Sequence, residues 1–380
     1  TSGTPLVSSE SMTWLREHFT AVTAQMKPEA ENLFTSGVNH IFFHGSTFSP
    51  STECWPGWKF YASVNLAPSN VIWEHSEALF EYLTRCQALL QQGRPDSDVL
   101  LYFPAYDLWS DSGPDSLAFN LSIHNLDEWL HGMPMFEDMR LMTRRGWLYD
   151  LVSDRQLDRA EFDSGSIVLA GSSYRVLVIP EMEYMPLSTM NKIMDLARQG
   201  ATVILHGRPS RVPGLAGYRE GEEQLAQALS SLRKTHSADG ITAFRPTGGR
   251  VGSVLSGERL DALLEAALVR RESLADSGLQ FIRRRHTGGW NYYLVNHTGR
   301  LIDEYLDLQV PARNFLILDP QTGKEGLAEN AREGQAGKVR VRMEPGEALF
   351  VQALGEKPPG FSPWKWTREK RELAQLDGEW

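Results

Sequence analysis

Apolar positions change their period along this chain, and the changes mark its organisation. From Ser11 to Gly37, Trp14, Leu15, Phe19, Val22 and Met26 fall at helical spacing. Pro28 is expected to interrupt or restart that helix, and Gly37 to stop it. Val38-Asn39-His40-Ile41-Phe42-Phe43-His44-Gly45 then reads as a short buried strand. A loop rich in Ser, Thr and Pro runs from Ser46 to Gly57 and carries Trp55, with Trp58 just beyond it. Helix returns from Trp73 to Leu90, with Leu79, Leu83, Cys86 and Leu90 on one face. Helix, buried strand and strand-end loop in that order make a β/α repeat.

After the linker Gln91 to Asp96 the pattern becomes that of a parallel sheet covered on both faces. Val99 to Pro104 and Tyr174 to Pro180 are continuous apolar strands. The helix Ser188 to Arg198, stopped by Gly200, and the strand Ala201 to Leu205 complete a βαβ unit. Asn125 to Arg145 is predicted to be mostly helical. From about Gly240 short alternating strands dominate, with helix only at Gly257 to Arg270. Gln280–Arg285, Trp290–Asn296, Tyr305–Val310, Asn314–Leu318, Lys338–Met343 and Ala348–Leu354 point to an antiparallel sheet with one wet face, a small β-sandwich. The tail from Gly355 to Trp380 is short and aromatic, with Trp364 and Trp366.

Composition narrows the function classes. At 380 residues, with 41% hydrophobic and 23% charged, the chain can bury two or three domain cores. A net charge of -10 argues against a nucleic-acid partner. Cys54 and Cys86 alone cannot build a disulfide scaffold. No apolar run approaches the ~20 residues that span a bilayer. The chain opens Thr1-Ser2-Gly3 rather than on methionine, which reads as processing or as a piece of something longer.

Glu10 is the first candidate for chemistry. Leu6 to Glu10 reads as the end of a strand followed directly by helix, and strand ends face the active site in a β/α barrel. A carboxylate there can act as general acid, general base or nucleophile. The alternative is a glutamate in a first helical turn, favoured by the helix dipole. His40 and His44 flank the strand's apolar core, four apart and so on one face, where they could line a pocket. A metal site would need a third ligand. Trp55 and Trp58 suit either a platform for sugar rings or an anchor for loop packing.

Other clusters carry less. The turn Pro180-Glu181-Met182-Glu183 lacks the glycines of a dinucleotide site, and neither cysteine lies in the βαβ unit, so that unit reads as non-catalytic. Asp107, Asp111 and Asp115 read as a solvated turn, and Arg283-Arg284-Arg285-His286 as a solvated edge.

Together these segments resemble the glycoside hydrolase family 106 α-L-rhamnosidases. The resemblance lies in Ser8 to Leu15, Glu17-His18-Phe19, Gly37 to Gly45, Trp55-Pro56-Gly57-Trp58 and Tyr82 to Phe103. It continues more weakly through Gly146 to Asp154 and the βαβ unit. It implies the C-terminal part of a (β/α)₈ TIM barrel at 1–92, with a flavodoxin-like or amidotransferase-like α/β domain at 93–240. A β-sandwich would follow at 241–355, and the start of a jelly-roll domain at 356–380. On this reading two domains are complete and two are broken, and the earlier barrel strands belong to the rest of the same polypeptide. The resemblance further implies inverting removal of terminal α-L-rhamnose from a carbohydrate by two carboxylic residues, with an active-site calcium. Glu10 would be one of the pair, as base or acid, and His40, His44, Trp55 and Trp58 would bind substrate. The segment alone is expected not to hydrolyse anything, and the whole enzyme to be periplasmic or extracellular. Two rival readings stay open: a non-catalytic carbohydrate-binding fragment, and another barrel glycosidase such as a β-galactosidase.

Overall fold

The computed structural model describes residues 1–62, 64–110, 126–248, 253–329 and 338–366. Its first element is a strand, β1 (Ser8–Ser11). The helix expected from Ser11 does not follow directly. Met12 and Phe19 sit at φ 65° and 62°, a region that breaks helical continuity, so the chain loops until α1 (Thr23–Thr35). Trp14, Leu15 and Phe19 therefore lie outside any helix. Pro28 stays inside α1 rather than dividing it. Burial of the stripe Met26, Ala30 and Phe34 offsets the lost backbone bond.

Next comes β2 (His40–Phe43), parallel to β1, with Ser8 opposite His40 and Glu10 opposite Phe42. Strand alternation gives the pair two unlike faces. Ser11 and Ile41 are buried, whereas Ser8, Glu10, His40 and Phe42 are exposed, so β2 is not the fully buried strand expected. α2 (Ser76–Leu90) then buries Leu79, Leu83, Cys86 and Leu90, as their spacing predicts.

The expected linker is itself partly a strand, β3 (Arg94–Pro95). β4 (Val99–Tyr102), with all four residues buried, opens the second unit. α3 (Ala105–Ser110), α4 (Leu126–Trp129) and α5 (Pro134–Arg145) lead to β5 (Tyr149–Val152); Asn125, where helix was expected to begin, lies outside the described residues. α6 (Asp154–Leu157) precedes a small antiparallel sheet of β6 (Glu161–Asp163), β7 (Ser166–Leu169) and β8 (Ser172–Tyr174). β9 (Val176–Ile179), α7 (Leu187–Gln199), β10 (Thr202–Leu205) and α8 (Tyr218–Ser230) follow.

The sheet does not stop near residue 240. β11 (Leu232–Ala238), β12 (Ile241–Pro246) and β13 (Val254–Ser256) belong to it, in the order β11-β12-β13-β10-β9-β4-β5. The expected boundary falls in a hairpin, turned by Gly240 at φ 77°, and β13 returns to pair parallel with β10. α9 (Leu260–Ala266) is shorter than the helix expected there. Taken in chain order, the parallel strands run 2-1-3-4-5, the order of flavodoxin-like sheets. Leu100, Tyr102, Leu177 and Ile179 face one core, and Val99, Leu101, Val176 and Val178 the other.

The remaining strands are β14 (Gln280–His286), β15 (Gly289–Val295), β16 (Ile302–Asp307), β17 (Asn314–Leu318), β18 (Glu325–Leu327), β19 (Lys338–Met343) and β20 (Ala348–Leu354). They form a six-stranded sheet, β18-β17-β20-β15-β14-β3, and the pair β16-β19. Tyr292, Leu294, Phe315 and Val351 pack with Val339 and Val341 between them. The larger sheet has no wet outer face. Tyr293, Val295 and Phe350 pack there against Met26, Phe34, Leu83 and Cys86 of α1 and α2.

Two further segments are covered by a neighbour. β3 lies outside β14, so only part of the basic run is solvated: Arg285 is exposed, but Arg283 and Arg284 are 1% and 4% exposed. Arg283 reaches Asp96, Asp98 and Glu272 at 2.7, 2.7 and 2.6 Å. In the tail, the Trp364 N–H donates to Leu327 O (2.7 Å), and Trp364 and Trp366 pack on the sandwich core. The described part of the tail thus packs on the sandwich. Trp380 and the rest of the expected jelly-roll start lie outside the described residues.

Candidate active site

Glu10 is the third residue of β1, and His44 follows β2 by one residue. Parallel pairing brings the two strand ends side by side, and His44 Nδ1 lies 3.2 Å from Glu10 Oε1. Thr13 Oγ1 donates to the same oxygen at 3.0 Å. Oε2 accepts no hydrogen bond among the described residues. Both side chains are 48% exposed. The reading of Glu10 as a first-turn helical residue is overturned, since the nearest helix starts at Thr23.

The ring of His44 is packed by Phe60 and Tyr61, with centroids 4.5 and 6.1 Å away. This holds the imidazole toward the carboxylate. An orienting histidine, a hydroxyl donor and one free carboxylate oxygen make a unit able to move a proton to or from a bound molecule.

The other expected site residues are placed differently. His40 shares the exposed face with Glu10 but bonds Ser8 Oγ at 2.8 Å, two residues back along β1. Trp55 packs on Phe19 (5.4 Å) and Trp58 on Phe48 (6.3 Å), each as a separate ring pair. Thr13, Phe60 and Tyr61 were not singled out from sequence. The signal available was position: Thr13 lies three residues past Glu10, and Phe60-Tyr61 closes the aromatic loop.

The implied calcium takes six to eight oxygen ligands. Near β1 and β2 Glu10 offers one carboxylate, and among the described residues no three His, Cys, Asp or Glu side chains converge. The described residues do not by themselves fit that ion.

Doubly wound sheets bind ligands outside the carboxyl ends of their strands, where the winding reverses. Here that crevice lies between β4 and β9, and the protein's own groups bridge it. Asp107 accepts the N–H groups of Glu183 (2.6 Å) and Tyr184 (2.7 Å), so it does not sit in a solvated turn. Asp111 and Asp115 lie outside the described residues. Beside it, Tyr102 and Thr189 donate to Asp154 at 2.6 and 2.5 Å. At the end of β10, His206 Nδ1 meets Asp138 (3.0 Å) and Nε2 meets the Glu258 carbonyl (3.0 Å). The bond to Asp138 raises the His206 pKa despite burial. With both nitrogens engaged by the protein's own groups, this histidine holds α5 and the segment before α9 together rather than facing a ligand.

Solved structures that share this fold include two glycosidases. A rhamnosidase from Novosphingobium sp. PP1Y superposes with a TM-score of 0.72 at 22% identity, over 98% of this chain and 33% of that one. A family 42 β-galactosidase from G. stearothermophilus gives 0.54 at 11% identity, over 92% of this chain and 54% of that one. More narrowly, the profile of glycoside hydrolase family 106, alpha-L-rhamnosidase, matches residues 1–115 and 124–329, and the chain belongs to that family. A Formosa agariphila protein named "Putative beta-glucuronidase" is 27% identical over 359 residues, 92% of this chain and 27% of that protein. The chain thus spans about a third or less of the rhamnosidase and of the Formosa protein.

Proposed function

We propose that this chain is part of an α-L-rhamnosidase and supplies one of its two catalytic carboxyl groups, Glu10. The observation that carries the reading is the strand-end pair of Glu10 and His44, on an exposed face of two parallel strands. Such a face suits the lumen side of a barrel whose other strands come from elsewhere in the polypeptide. Residues 1–92 would then close a (β/α)₈ barrel, with the α/β unit and the sandwich as accessory domains behind it. In an inverting glycosidase one carboxyl protonates the leaving oxygen and the other activates water, ~6.5–9.5 Å apart. Glu10 accepts from Thr13, and from His44 when Nδ1 carries the proton, an arrangement that suits the general base. The acid would stand on another strand. His40, His44, Trp55 and Trp58 would line the substrate path. Any calcium would draw most of its ligands from other strands and would orient sugar hydroxyls when bound. Action on carbohydrate outside the cytoplasm fits this reading.

The name of the Formosa relative supports a second substrate class, a β-glucuronide. The intact protein should hydrolyse an aryl α-L-rhamnoside and not an aryl β-glucuronide. NMR of the first-formed sugar should show the inverted anomer. Preference for the glucuronide, or a retained anomer, would overturn the assignment.

A further inference from the structure

The loop residues 44–62 and 64–72, between β2 and the short helix at Trp73–His75, are held by their own bonds but turn their largest rings outward. Trp55 Nε1 donates to Ser69 O at 3.1 Å, and the Trp58 N–H donates to Ser49 Oγ at 2.5 Å. Asn70 Nδ2 donates to Asn65 O at 2.8 Å, and both asparagines are buried. Gly57 sits at φ 75°, where a Cβ would lie 2.2 Å from Ser49 Oγ, so the turn between the two tryptophans demands glycine.

Burial in this loop is selective. Val64, Leu66 and Ile72 are inside, yet Phe48, Trp55, Trp58 and Tyr61 are 76%, 69%, 55% and 62% exposed. Large exposed apolar rings gathered on one loop are a feature of binding surfaces. The loop's later part meets the proposed catalytic pair: Tyr61 and Phe60 pack on His44, which bonds Glu10.

Resting on the reading of Glu10 as catalytic, we propose that this loop is a leaving-group subsite. Tyr61, Trp58 and Trp55 would take the sugar rings on the far side of the scissile bond of an oligosaccharide. Sugar rings present apolar C–H faces between polar rims, and an indole or phenol ring covers such a face at little entropy cost. Trp55 spends its N–H inside the loop and so offers its ring alone. The subsite selects substrates with rings beyond the terminal sugar.

The test uses the intact protein and two substrates, α-L-rhamnosyl fluoride, whose leaving group has no ring, and a trisaccharide with α-L-rhamnose on two glucose units. The ratio of kcat/KM for the trisaccharide to that for the fluoride does not depend on how much protein is folded. Trp58→Ala should lower this ratio about tenfold, equivalent to ~1.4 kcal/mol, and Trp58→Phe should restore most of it. An unchanged ratio in Trp58→Ala and in Tyr61→Ala would overturn the subsite; the rings would then serve to pack other parts of the polypeptide. Tryptophan fluorescence of the Glu10→Gln protein, titrated with the two-glucose unit alone, separates the two claims. Saturable quenching supports the subsite even if neither substrate is cleaved, and no quenching contradicts it even if both are.

Discussion

Arg283 shows how a residue's neighbours invert what its own segment suggests. Read within Arg283-Arg284-Arg285-His286, it belongs on a wet edge; in the fold it bridges Asp96, Asp98 and Glu272 in near-complete burial. Burial alone would raise the Asp98 pKa, but Arg283 and Arg270 together hold it below the usual carboxylate range. A depressed carboxylate contributes stability that is fully present above its unfolded value of ~3.9 and is lost as pH falls through the folded value. Arg283→Ala leaves buried carboxylates uncompensated and should cost about 3–5 kcal/mol at neutral pH. Urea unfolding at pH 7 and pH 3 checks this. The gap between wild type and variant should narrow at pH 3, and a constant gap would contradict the account. At the candidate site, the strand-end position of Glu10 was legible because it needs only local pattern. Its partner was half legible: the His40/His44 spacing put both on one face, but only parallel register decides that His44 meets Glu10 and His40 meets Ser8.

Among the elements, those decided by local burial were readable in advance. β4 and β9 are continuous apolar runs with every residue buried, and α2 is a clean stripe. The misreadings arose where backbone conformation or distant pairing decides. Helical spacing before α1 could not reveal left-handed residues at Met12 and Phe19. Nothing local showed that Arg94–Pro95 would become the edge strand of a sheet made almost 200 residues later. Gly93 makes that junction testable. It sits at φ 66°, and a Cβ there would lie 2.1 Å from the Arg285 carbonyl oxygen. Gly165 has a similar φ of 82° but open space around it. Gly93→Ala should therefore destabilise by about 2–4 kcal/mol, and Gly165→Ala by clearly less. Equal shifts in thermal unfolding midpoint would argue against close β3–β14 packing.

On the scale of the whole molecule, the first segment is built into the sandwich rather than tethered to it. The Glu31 carboxylate of α1, fully buried, accepts from Lys27 (2.5 Å), from Tyr82 of α2 (2.8 Å) and from His297 beyond β15 (2.8 Å). Tyr82 and Tyr293 share a further bond at 2.7 Å across the same interface. The two helices that flank β2 are thereby fixed on the larger sheet, with the Glu10 face of β1 and β2 left open. That open face is the one on which the proposal places the rest of the barrel. The central claim is that Glu10 carries chemistry there. Its most direct measurement is release of rhamnose from an aryl α-L-rhamnoside by the whole protein bearing Glu10→Gln. Loss of at least about 10²-fold in kcat, with folding intact, is the predicted result; wild-type turnover would contradict it.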